Sequence, residues 1–134
     1  MVSQTGKYAL RILGYLADHP DQWLQGREIA LATGIPANYL SKILNQLRKR
    51  GLVFSQKGWG GGFLLKPEAL TVPIAEVLEL FEGRRDAQEC IFELKPCDAD
   101  NPCPLHQHWE RIRGEYEGML SSTTVGDLGG KQKG

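Results

Sequence analysis

Four absences narrow what this sequence of 134 residues encodes. No apolar run approaches the roughly 18–20 residues that a membrane span needs, so no membrane partner is expected. Residues 1–6 lack the basic start and apolar stretch of a signal peptide, which points to a cytoplasmic location. Cysteine is absent outside residues 90–103, where all three, Cys90, Cys97 and Cys103, are found. An odd number in a reducing compartment argues against a disulfide framework and leaves a metal, a cluster or a redox switch. Acidic side chains are absent between Glu28 and Glu68, although Lys42, Arg48, Lys49, Arg50, Lys57 and Lys66 all lie there.

What is present is unevenly placed. The formal net charge is zero, yet residues 1–66 hold nine Lys or Arg against three Asp or Glu, while residues 67–134 hold seven against thirteen. A polyanion suits the first half, and a merely solvated basic face is the alternative until structural context is added. Hydrophobic residues at 41 % and charged residues at 24 % describe an ordinary globular protein, long enough for one compact unit with a dimerisation appendage. No set of nucleophile, base and acid, no paired carboxylates and no cofactor fingerprint emerge, so an enzyme is not expected.

Apolar periodicity supplies the architecture. Ala9, Ile12, Leu13 and Leu16 fall at helical spacing within a first helix over residues 5–19. A second, short helix covers residues 27–33, turns Ile29 and Ala30 inward and stops at Gly34. After Gly34-Ile35-Pro36 a third helix runs to about residue 50 with Leu40, Ile43, Leu44 and Leu47 on one side; Pro36 sits where its missing N–H does no harm, and Gly51 suits the left-handed stop. Short helix, tight turn and longer helix make a helix-turn-helix candidate. Strands over residues 52–56 and 62–66 flank a glycine-rich loop too long for a two-residue hairpin, which reads as a wing. A phosphate loop is disfavoured there, because no Gly-Lys-Ser/Thr follows.

A fourth helix is predicted over residues 73–82, ending at Gly83, and a fifth from Pro104 to about residue 122. In the fifth, Leu105, Trp109, Ile112, Tyr116 and Met119 are spaced four, three, four, three, the repeat of a helix that pairs with a partner. Docking on its own domain is the alternative. The fold expected is mainly α with a small β wing: a winged helix-turn-helix over 1–83, a cysteine-bearing loop over 84–103, a dimerisation helix and turn over 104–128 and a disordered tail over 129–134.

A third helix with its apolar side buried presents Asn38, Ser41 and Lys42 as candidates to read base edges, with Arg48 and Lys49 positioned for phosphates. Lys57 at the wing tip is a candidate for phosphate or minor groove, and Gly60 and Gly61 would let backbone approach duplex DNA closely. A homodimer would read a pseudo-palindromic operator. The cysteines lie in polar surroundings unlike those of packed structural cysteines, and thiolates favour iron–sulfur or zinc. Cys103 before Pro104 looks like a helix N-cap, where the dipole favours a thiolate. His106, three residues on, is the candidate fourth ligand, with His108 as rival. Three Cys and one His suit a 2Fe-2S cluster ahead of a 4Fe-4S one; zinc is chemically acceptable but the loop lacks a Cys-x2-Cys knuckle.

Gly6-Lys7-Tyr8-Ala9-Leu10, Ile29-Ala30, Gly34-Ile35, Tyr39-Leu40, Leu47-Arg48-Lys49, Gly51-Leu52-Val53, the wing over residues 58–65, Glu82-Gly83, the three cysteines, Trp109 and Thr124-Val125-Gly126-Asp127-Leu128 occur in a specific order and spacing. Over nearly the whole chain they resemble the Rrf-two family of bacterial winged-helix regulators. The resemblance implies a homodimer in which the long helix crosses to its partner. In cysteine-bearing members it also implies an iron–sulfur cluster whose state sets DNA affinity, and it points to His106 as the fourth ligand. The expected function is a transcription regulator sensing redox, nitric oxide or iron–sulfur status. The alternatives are a cluster-free thiol or zinc regulator acting with a protein partner, and an electron carrier, in which the wing would have no role. This chain departs from family patterns at Ser41, where some members carry a glutamate that discriminates operators, and at Trp59, where proline is common. Its Cys90-x6-Cys97-x5-Cys103 spacing is similar to, but not identical with, that of cluster-bearing members, and Tyr8 stands where some members place an aspartate ligand.

Overall fold

The computed structural model describes residues 2–83 and 104–130. Helix α1 (Gln4–Ala17) begins where the Ser3 hydroxyl accepts the Gly6 N–H at 3.0 Å, and it buries Ala9, Ile12, Leu13 and Leu16. Helix α2 (Gly26–Thr33) is held at its start by the Glu28 carboxylate, which accepts the Gln25 N–H at 3.3 Å. It ends at Gly34, whose φ of 72° is left-handed and cheap only without a Cβ. Helix α3 (Ala37–Lys49) follows at once and buries Leu40, Ile43, Leu44 and Leu47. Each of those side chains stabilises the fold by about 1.5–3 kcal/mol, so the apolar stripe fixes which side of α3 faces out.

Strands β1 (Val53–Gln56) and β2 (Gly62–Leu65) pair antiparallel, from Val53 opposite Leu65 to Gln56 opposite Gly62. The predicted bounds hold to within one residue. A third extended position, Leu24, exchanges both backbone hydrogen bonds with Phe63 at 2.8 and 2.9 Å, anchoring the wing to the segment before α2. A 3-10 helix over Pro67–Thr71 leads into α4 (Ile74–Glu82), which stops at Gly83 as predicted.

The long helix α5 (His106–Ser122) is followed by one turn, α6 (Val125–Leu128). That turn is capped by Thr124 and Asp127, each side chain accepting the other's backbone N–H at 3.2 and 2.9 Å. The sequence reading placed the start of α5 at Pro104 with Cys103 as its cap. The structure corrects this: Leu105 is the N-cap, its carbonyl accepting the Trp109 N–H at 2.8 Å, so Cys103 stands two residues ahead of the cap.

Most of the core is one cluster joining α1, α2, α3, the wing and Val125; a second joins Ile74, Leu78 and Leu120. Residues 104–128 thus share packing with 1–83, and the backbone ties them as well, Ile74 N–H donating to Thr123 at 2.8 Å and Val125 N–H to Val72 at 2.9 Å. Of the tail expected to be disordered, Gly129 caps α6 against Ala17, and 131–134 lie outside the described residues. Among the described residues no helix is long and apolar enough to cross a membrane.

Candidate nucleic-acid interface and ligand residues

Because the apolar stripe of α3 is consumed by the core, its other side is left to solvent. Asn38, Ser41, Lys42, Asn45, Arg48 and Lys49 are all exposed. The wing then folds beside that surface. Ser41, Asn45 and Arg48 from α3 and Ser55, Lys57 and Phe63 from the wing line one open groove, and none of the six is acidic. The Asn45 carbonyl oxygen accepts from Arg48 Nη2 at 2.9 Å, which orients the guanidinium without neutralising it. A duplex phosphate meeting this wall would find undiminished positive charge.

The predicted residues therefore fall into two groups. Ser41, Arg48 and Lys57 are brought together in the groove, whereas Asn38, Lys42 and Lys49 are exposed on α3 outside its lining. Gly60 is exposed at the wing tip, but Gly61 is buried: a Cβ there would meet the Gln56 carbonyl, and its N–H donates to Gly58 at 3.1 Å. Loop closure accounts for that glycine. Sequence reasoning did not select Asn45 or Ser55. The signal was available, since Ser41, Asn45 and Arg48 are four and three apart and Ser55 is the polar position opposite Phe63 in the wing. An aromatic–cation group beside the start of α3 also went unread: Tyr8 and Tyr39 have ring centroids 6.2 Å apart, with Arg11 5.7 Å from the Tyr8 ring.

Cys90, Cys97 and Cys103 lie outside the described residues. His106 does not, and it is unusual: it is buried, and its Nδ1 has no hydrogen-bond partner among the described residues. Its Nε2 lies 3.5 Å from the Glu110 carboxylate one turn on. His108, the rival candidate, is exposed. No group of three His, Cys, Asp or Glu forms among the described residues.

The apolar stripe of α5 divides between its two sides. Leu105, Ile112 and Met119 are exposed at 38, 51 and 50 %, whereas Tyr116 packs against the second core cluster beside Leu120. Docking on its own domain therefore accounts for Tyr116 and leaves Leu105, Ile112 and Met119, each seven positions apart, uncovered within one chain.

Comparison with known proteins bears on the family and the fold. A family profile described as "Rrf2: Iron-dependent Transcriptional regulator" matches residues 2–131. An HTH-type transcriptional regulator from Aquifex aeolicus is 38 % identical over 128 residues, covering 94 % of this chain and 89 % of the relative. The regulator IscR of Escherichia coli is 32 % identical over 106 residues, 79 % of this chain but 65 % of IscR. Among solved structures, CymR, the global cysteine regulator of B. subtilis, superimposes with a TM-score of 0.78 at 26 % identity, covering 99 % of this chain and 98 % of CymR. IscR of T. potens gives 0.70 at 27 % identity, covering 96 % and 85 %.

Proposed function

Because this chain belongs to the Rrf2 family of winged-helix transcription regulators, and is not an enzyme, we propose that it acts in the cytoplasm as a homodimer on a pseudo-palindromic operator, its grip set by an iron–sulfur cluster at Cys90, Cys97, Cys103 and His106. The observation that carries the DNA half is the acid-free groove shared by α3 and the wing. In this reading Asn38, Ser41 and Lys42 meet base edges from the front of α3, since short polar groups and one long cation suit the donor and acceptor pattern of the major groove. Arg48, Lys49 and Lys57 hold phosphates on either side, and Gly60 keeps the wing backbone slim where it meets the duplex. Ile112 and its neighbours on α5 meet the same helix of a second copy.

His106 supports the ligand half. A buried nitrogen without a partner costs about 1–3 kcal/mol, a cost that coordination removes. Glu110 would hold the ring in the tautomer that offers Nδ1. Three thiolates and one imidazole suit a 2Fe-2S cluster ahead of a 4Fe-4S one. When bound, such a cluster supplies sensitivity to oxidants, nitric oxide and iron supply. A second reading, a cluster-free thiol or zinc regulator acting with a protein partner, is favoured by the likeness to CymR over almost the whole of both chains.

Anaerobic purification tests the choice. Visible absorbance with stoichiometric iron and sulfide supports the cluster; colourless protein, with zinc or without metal, moves the assignment to the second reading. Electrophoretic shifts of genomic fragments with both forms test the DNA half, which fails if neither form retains any fragment.

A further inference from the structure

We propose that Trp59 is a DNA contact in its own right: an aromatic probe at the wing tip that enters the minor groove beside the major groove faced by α3. This rests on the DNA-binding reading above. Trp59 is 104 % exposed, as open as an isolated tryptophan, while the other exposed apolar side chains retain some cover. Its neighbours explain why. Gly58 and Gly60 flank it at φ of 92° and 73°, and neither has a protein atom within 4 Å of where a Cβ would stand. The indole is therefore shielded on neither side, yet its stem is firm, closed by Gly61 N–H to Gly58 at 3.1 Å and anchored by the Leu24–Phe63 bridge.

A single exposed hydrophobe needs no explanation by itself. Here the position supplies one. The strand leading to the tip ends in Ser55 and Gln56 and is followed by Lys57, polar or cationic and without an acid, and Ser55 and Lys57 belong to the groove they share with α3. An apolar protein pocket would have to accept that cationic surround; a duplex welcomes it. The minor groove is about 6 Å wide, room for a flat ring entering edge-on, and apolar wedges are a recurrent device there. The indole N–H matches the acceptors on the groove floor, which an A·T pair presents without the guanine amino group.

The contact has a signature that separates it from Lys57. An aromatic ring releases no counterions, so its loss weakens binding equally at every salt concentration. The test uses full-length protein purified anaerobically and the genomic fragment that wild type retains most strongly. W59A is expected to raise Kd about tenfold with an unchanged salt slope, W59F to recover most of the loss, and the melting temperature to stay at the wild-type value. Titrating the fragment should quench a component of indole emission that W59A lacks. Equal Kd for W59A and wild type, a changed salt slope, or a lowered melting temperature overturns the proposal. A wild type that retains no fragment overturns the DNA-binding reading itself, a different failure.

Discussion

Removing the Ile112 side chain is the sharpest test of the assembly. Ile112 is 51 % exposed in one chain, and full burial of an isoleucine is worth about 1.5–3 kcal/mol, so covering the remaining half gains about 1 kcal/mol per copy. A twofold interface counts the change twice, giving about 2 kcal/mol, or roughly a thirtyfold rise in the dimer dissociation constant for Ile112→Ala. Ile112→Glu goes further: it adds carboxylates to a helix already bearing Glu110, Glu115 and Glu117, and burying them unpaired costs several kcal/mol. That variant should be monomeric at every workable concentration. Sedimentation velocity over a dilution series reads both effects. Gln107→Ala, exposed on the opposite side of α5, is the control and should sediment as wild type. Ile112 lies outside both core clusters, so far-ultraviolet dichroism and melting of the isolated chain should hardly change. If Ile112→Ala and Ile112→Glu both sediment as wild type, the stripe does not meet a second copy.

Lys57→Ala should weaken DNA binding and flatten its dependence on log salt by about 0.9 for each wing that meets a phosphate; an unchanged slope removes Lys57 from the interface. Gly62→Ala should loosen the wing, because Gly62 has φ 126° and its Cβ would meet the Leu24 carbonyl. A cost of about 2 kcal/mol, read as a lower denaturation midpoint with weaker DNA binding, is expected, and wild-type stability would refute it. His106→Ala purified without oxygen should carry less iron and sulfide than wild type while His108→Ala matches it; equal loading of all three proteins would remove His106 from the ligand set.

Where the chain's own chemistry is local, the sequence was readable. Helices α1 to α4 and the wing were placed because apolar spacing, Gly34, Gly51 and Gly83 are short-range signals, and the bounds came out within one or two residues. The Leu24–Phe63 bridge was not readable, since one extended residue has no period and its partner is almost forty positions away. The start of α5 was misplaced for a related reason. Pro104 is acceptable in a first turn, but the helical hydrogen bonding begins only at the Leu105 carbonyl, two positions beyond Cys103. At the interface, helical spacing identified the outward side of α3, yet only the wing's placement shows that Ser41, Asn45 and Arg48 share a groove with Ser55 and Lys57. The pairing of His106 with Glu110 was visible as an i, i+4 spacing, whereas the burial that leaves Nδ1 without a partner depends on packing.

These placements make α5 the physical link between the two proposed activities. Its first residue is His106, and its exposed apolar positions, Ile112 and Met119, follow along it, seven residues apart. Its far end is bonded to the start of α4 through Thr123 and packed on it through Leu120. Seventeen helical residues span about 25 Å, and a helix of that length behaves as a lever, not as a spring. Val125 and Leu128 then return to α1, in whose cluster Leu40, Ile43, Leu44 and Leu47 of α3 are also buried. If α5 meets a second copy as proposed, a change at the His106 end that tilts it would alter the separation of the two α3 helices. The energy required is modest: a tenfold change in operator affinity needs about 1.4 kcal/mol of difference between two arrangements, comparable to the estimated contribution of one Ile112 side chain. In the proposed dimer, regulation is therefore best sought in the geometry between the two copies, with the DNA-reading surface itself left unchanged.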